Sequence, residues 1–194
     1  MERKLVVFDL DDTLFDFNRA VRDAARHYLK LDLKYNDFKT YEHIKGDTIT
    51  WNKIVDLLHE HDIQNKLDLI EDEFKVHSFI CDLMEKGYTF AISTSRLCYG
   101  TESKVKRGLK RLFSHLKVAL FKDMNFSCIE VAHKGHKLNK FNLEEVKIFV
   151  DDCEDNLLPL TGKGIELYLI NRPWNRKCKH PEIKRIKSIF DIKI

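Results

Sequence analysis

Four apolar residues in a row, Leu5-Val6-Val7-Phe8, break off into Asp9-Leu10-Asp11-Asp12, and the same switch recurs further along the chain. Tyr88-Thr89-Phe90-Ala91-Ile92 runs into Ser93-Thr94-Ser95, and Val146-Lys147-Ile148-Phe149-Val150 into Asp151-Asp152. Cys128-Ile129-Glu130-Val131 and the stretch Ile165 to Ile170 are two more short runs of the same kind. Short apolar runs rich in β-branched and aromatic residues, bounded by polar turns, predict buried strands. From Phe15 to Lys86 the period is instead mostly helical. Asn18 caps a predicted helix over Arg19 to Leu31, with Ala20, Ala24, His27 and Tyr28 at helical spacing. Thr50 caps a second over Trp51 to His61, whose stripe is Trp51, Ile54, Val55 and Leu58. Leu67 to Met84 gives a third, through Leu69, Ile70, Phe74, Phe79, Ile80 and Leu83, and Gly87 ends it. A further helix is expected from about Glu102 to Phe113, extending towards Leu120.

Strands separated by helical spacers predict an α/β fold with a parallel sheet and right-handed crossovers. In such a sheet every carboxyl end lies on one edge, where open α/β folds bind ligands. Asp9, Thr94 and Asp151-Asp152 would therefore meet in one pocket. The stretch between the first two strands is longer than one crossover needs. It predicts a division into a core (1–15 and 87–194) and an inserted helical cap (16–86) that serves as a lid.

Composition narrows the classes. The chain of 194 residues is 43% hydrophobic and 34% charged, which fits one folded domain and argues against disorder. Lys and Arg number 34 against 31 Asp and Glu, a formal charge of +3, so nucleic acid is not the expected partner. No run approaches the roughly 18 apolar residues of a membrane span. The N-terminus enters a strand at once and has no signal-peptide pattern. Five cysteines, Cys81, Cys98, Cys128, Cys153 and Cys178, show no paired spacing and no zinc pattern. The expectation is a cytoplasmic protein without zinc or membrane contact.

The acids carry the chemistry. On an extended backbone Asp9 and Asp11 point the same way. Two carboxylates facing one cavity repel unless a cation lies between them, and Mg²⁺ prefers such hard oxygen ligands. Asp151-Asp152 would supply the missing ligand from a neighbouring strand; the bland alternative is that Asp9 to Asp12 merely cap a turn. Thr94, with its hydroxyl and the N–H groups after it, suits the oxygens of a phosphoryl group, or else caps a helix. A basic residue should complete the site. His133-Lys134-Gly135-His136-Lys137-Leu138-Asn139-Lys140 offers three lysines, of which Lys137 has the preferred spacing, Lys134 is its rival and Lys140 the third choice.

Asp9-Leu10-Asp11-Asp12-Thr13-Leu14 resembles the first motif of the haloacid dehalogenase-like phosphotransferases, Ile92-Ser93-Thr94-Ser95 the second and Phe149-Val150-Asp151-Asp152 the fourth. The likeness in order and spacing extends over nearly the whole chain. It implies a Rossmann-like three-layer core with a central parallel sheet and a small helical cap after the first strand. Asp16-Phe17, Ile92-Ser93-Thr94-Ser95, Asp151-Asp152 with Asn156, and Arg172-Pro173-Trp174-Asn175-Arg176 are further similar to the 5′(3′)-deoxyribonucleotidase branch. Asp12, where members often carry Gly, and Arg96, where Pro is common, depart from it.

The resemblance implies that Asp9 is a nucleophile forming an aspartyl-phosphate and that Asp11 is the general acid and base. Mg²⁺ would be held by Asp9, the backbone carbonyl of Asp11 and Asp152, with Asp151 supporting them or taking the place of Asp152. Phe17 would face a base, while Ser95 and Arg96 would touch the substrate. Trp174 and Asn175 would shape the wall and support the acidic loop. The expected activity is Mg²⁺-dependent hydrolysis of nucleoside monophosphates, deoxy forms foremost. Alternatives are a phosphatase for another small phosphometabolite or a nucleic-acid end, and a binding protein that keeps the fold without turnover. A homodimer is left open.

Overall fold

In the computed structural model the described residues are 3–40, 43–44, 47–94 and 142–194. The expected strand at Cys128 to Val131, the helix from Glu102, and Ser95, Arg96, Lys134, Lys137 and Lys140 lie outside them.

Strands β1 (Lys4–Asp9), β4 (Tyr88–Ser93), β5 (Val146–Asp151), β6 (Glu166–Ile170) and β7 (Ile183–Ile186) form one sheet in the order β4-β1-β5-β6-β7. Every pairing in it is parallel. Central parallel strands are covered on both faces, which is why β1 reads as an unbroken apolar run. Its side chains divide by alternation. Val6 and Phe8 join Phe90, Ile92, Ile148 and Val150 on one face, and Leu5 and Val7 join Ala91, Phe149, Leu167 and Leu169 on the other. β7 was not expected from the sequence, because Lys184 and Arg185 between Ile183 and Ile186 hide its strand character.

The segment between β1 and β4 holds three helices, α1 (Phe17–Leu29), α2 (Thr48–Glu60) and α3 (Glu73–Glu85). It also holds a small antiparallel hairpin of β2 (Phe38–Thr40) and β3 (His43–Ile44), which the mostly helical reading of that stretch did not include. Each helix starts behind an aspartate, so the expected caps are corrected as well. Asp16 accepts from Arg19 N at 3.0 Å, Asp47 from Thr50 N at 3.0 Å, and Asp72 from Phe74 N and Lys75 N at 3.1 Å. A carboxylate facing free N–H groups at the positive end of a helix adds charge attraction to a hydrogen bond that a hydroxyl or amide would also make. Leu67 and Leu69 precede α3 in extended chain, where Leu69 bridges to Phe15 and Ile70 N donates to Leu14 O at 2.9 Å. At φ +82° Gly87 turns α3 into β4.

The three helices do not share one core. Val76, Ile80 and Leu83 of α3 pack with Val6 and Phe8 of the sheet. Val21, Ala24 and Ala25 of α1 instead pack with Phe38, Ile54 and Leu58, and Trp174 covers their rim. Within 16–86, the part with its own apolar cluster is thus α1, the hairpin and α2.

Candidate active site

The site grows from the carboxyl edge of the sheet. Register sets Asp9 opposite Ser93 and Phe8 opposite Val150, so Asp9, Thr94 and Asp151 fall at the ends of three adjacent strands. Asp9, Thr94, Asp151 and Asp152 are all buried. Asp9, Asp151 and Asp152 each present a carboxylate oxygen within 4.8 Å of the others'. Three buried acids this close repel strongly in a medium that screens poorly, and a hard divalent cation bound by oxygen ligands removes that cost. The donor set fits Mg²⁺.

Beyond β1 the chain wraps tightly on itself. Leu10 O accepts from the N–H groups of Thr13, Leu14 and Phe15, and Asp12 N donates to Phe15 O at 2.8 Å. Asp12 sits at the turn with φ +60°, a conformation Gly adopts freely and Asp tolerates. Its carboxylate offsets the strain by accepting from Asn18 N at 2.8 Å, which ties the turn to the first turn of α1. Burial above all, aided by Asp11 and Asp16, pushes the Asp12 carboxyl up to about 8 against the pull of that N–H and of Arg172. Arg172 Nε donates to Asp12 O at 2.7 Å. Asp11, two residues from Asp9, is half-buried.

Asp151 and Asp152 are held differently. Asp151 accepts from Cys153 N at 2.9 Å and from Asn156 Nδ2 at 3.0 Å on both oxygens, within the turn that starts α4 (Glu154–Leu157). Asp152 Oδ2 accepts from Trp174 Nε1 at 2.8 Å. Asn175 Nδ2 bridges Asp152 O at 2.8 Å and Ile170 O at 2.6 Å, and Asn175 is oriented in turn by Arg185. Trp174 and Asn175 thus brace the acidic loop. Burial, Asp151 and Asp152 push the Cys153 thiol far above its ordinary range, which disfavours a thiolate.

Phe17, the expected base-facing residue, begins α1 and is half-buried, edge-on to Trp51 with ring centroids 6.4 Å apart. Sequence reasoning missed Arg172 and Arg185 as parts of the site's framework. Arg172 could have been suspected from its place beside Trp174-Asn175; Arg185 left no local signal.

No protein-family model matches the chain, and no curated protein matches it. Solved structures do. A haloacid dehalogenase hydrolase of family IA from Entamoeba histolytica superposes with a TM-score of 0.57 at 13% identity, covering 98% of this chain and 96% of that one. A haloacid dehalogenase-like family hydrolase of Streptococcus pneumoniae gives 0.54 at 16% identity, covering 88% and 85%. CbbY of Rhodobacter sphaeroides, solved in complex with phosphate, gives 0.54 at 14% identity, covering 96% and 94%. These similarities, together with the five-stranded parallel sheet and its acidic carboxyl edge, show that the chain has the α/β fold of the haloacid dehalogenase-like hydrolases.

Proposed function

We propose that the chain is a Mg²⁺-dependent phosphomonoesterase acting on nucleoside monophosphates, with 16–86 as a lid over a core of 1–15 and 87–194. The observation that carries this reading is the meeting of Asp9, Asp151 and Asp152 at adjacent strand ends. Asp9, the Asp11 backbone carbonyl and Asp152 would hold the metal, whose charge, when bound, offsets that of the carboxylates and of the phosphate oxygens. Asp151 is the supporting member, since its two oxygens already accept from Asn156 and Cys153 N.

Catalysis then runs in two displacements. An Asp9 oxygen attacks phosphorus, the ester P–O bond breaks, and Asp11 gives its proton to the leaving oxygen. Water next attacks the aspartyl-phosphate, Asp11 takes the water's proton, and the bond between phosphorus and Asp9 breaks to release inorganic phosphate. Asp11 suits the proton-carrying role because it is half-buried, whereas Asp9 is buried within the acidic cluster. Thr94 would hold phosphoryl oxygens with Ser95 and Arg96, Lys137 (or Lys134, or Lys140) would neutralise them, and Phe17 would stack on the base.

The test is phosphate release from 5′- and 3′-monophosphates of ribo- and deoxyribonucleosides and from sugar phosphates, with Mg²⁺ and with EDTA. Mg²⁺-dependent turnover of deoxynucleotides is expected. Phe17→Leu should raise the nucleotide KM while sparing an aryl phosphate. Turnover confined to sugar phosphates overturns the nucleotide reading in favour of another small phosphometabolite. CbbY supports that second reading, since a variant of it was solved in complex with xylulose-(1,5)-bisphosphate.

A further inference from the structure

The overall charge of +3 conceals a strong polarity along the chain. Residues 1–86 hold 13 Lys and Arg against 19 Asp and Glu, whereas residues 87–194 hold 21 against 12. Residues 172–194 alone carry eight Lys and Arg against two acids, Glu182 and Asp191. In the fold this last stretch makes the end of the sheet, because β7 stands outermost among the described strands.

Ile183 and Ile186 of β7 are buried in the core, while Lys184 and Arg185 between them are exposed. Lys187 and Lys193 are exposed as well. With Asn171 and Asp191 these four cations line an open groove of about 600 Å³. The acid within it is occupied: Asp191 Oδ2 accepts from Lys187 N at 2.9 Å and from Ser188 N at 3.1 Å. Lys184 pairs with Glu166 at 2.6 Å, and Arg185 donates to Asn175 O at 2.8 Å. Among the described residues, the Lys187 side chain has the charge attraction of Asp191, and neither it nor the Lys193 side chain makes a hydrogen bond or a close ion pair.

Position adds to charge. Asn171 follows β6 and Lys187 follows β7, so one end of the groove lies towards the sheet edge that carries the aspartates, while Tyr168 and Lys184 line it further back along the strands. β7 stands three strands from β1, about 14 Å at the usual strand spacing, a distance that a short stretch of sugar-phosphate chain spans. Lysines on an outer strand also discourage pairing with another chain, but Lys193 is not on the strand. A flat array of lipid headgroups does not enter a groove, whereas a single strand of phosphates does.

We propose that the groove binds the sugar-phosphate backbone of a nucleic-acid strand. A basic groove tracking a phosphate chain is the usual electrostatic footprint of such binding. The proposal does not depend on the phosphatase reading.

Fluorescence anisotropy of the full chain with a fluorescein-labelled single-stranded oligonucleotide, at low and physiological salt, tests it. The expected result is binding that weakens with salt. It should fall about tenfold or more in K187E/K193E, with a salt slope shallower by roughly 0.7 for each phosphate no longer neutralised. K53E/K75E, on exposed positions of the helical segment, should bind as the parent does, and circular dichroism should show both variants folded. Absence of binding at low salt, or undiminished binding by folded K187E/K193E, overturns the proposal. Binding to vesicles of phosphatidylcholine and phosphatidylserine without binding to the oligonucleotide overturns it in favour of a lipid surface.

Discussion

Asp9 is buried at the end of a strand, whereas Asp11, two residues on, keeps partial exposure to solvent. On the proposed phosphatase reading, that difference would let two carboxylates of one loop take unlike parts, one as nucleophile and one as proton carrier. Asp9→Asn should leave the fold intact and abolish turnover, since a neutral amide does not form the acyl-phosphate; parent-like phosphate release by this variant would sink the mechanism. Asp11→Asn should lower kcat by at least about a hundredfold. Its Mg²⁺ affinity, read by calorimetry, should stay near the parent's, because the expected ligand there is a backbone oxygen. A variant that chiefly lost metal affinity would assign Asp11 another role.

At the scale of elements, the turn after β6 reaches back to brace the loop after β5. Trp174 Nε1 holds Asp152 Oδ2, while the indole ring meets Tyr35 and Phe38 edge-on at centroid distances of 6.3 and 6.5 Å. Trp174→Phe keeps an aromatic ring and deletes the donor, so Mg²⁺ affinity should fall about tenfold or more. An unchanged calorimetric constant would reduce the indole to packing. Asp72 caps α3 with two N–H bonds. Asp72→Ala should cost about 1 kcal/mol, a drop of roughly 2–4 °C in Tm for a chain this size.

The same elements show what a sequence conveys. β1, β4, β5 and β6 were legible because both their faces are buried, which leaves few polar residues to blur them. The acids at their ends were legible for the same reason, since they interrupt apolar runs. β7 was hidden because an outermost strand exposes Lys184 and Arg185 to water. The caps were misread because Asp16, Asp47 and Asp72 compete with nearby hydroxyls and amides, and only the local geometry decides between them. Arg185 could not be found at all, as its partner Asn175 lies ten residues away across a turn.

Over the whole molecule, two apolar clusters sandwich the sheet, and a third joins α1, α2 and the hairpin. Leu58 belongs to the third and is fully buried. Leu58→Ala should destabilise by about 2–5 kcal/mol. Hydrogen exchange should quicken in α1 and α2 while β5 and β6 keep their protection. Equal loss of protection in the sheet would mean that the clusters unfold as one.

The acids of the candidate site come from distant parts of the chain: Asp9 from the first strand, Asp151 and Asp152 more than a hundred residues later. A nascent chain still emerging from the ribosome therefore carries Asp9 without its companions. On the phosphatase reading it stays inert towards the phosphate esters around it until β5 slides in beside β1. Because a divalent ion held by Asp9 and Asp152 would recognise only the finished arrangement, supplying it should also favour the completed fold over every partly made one.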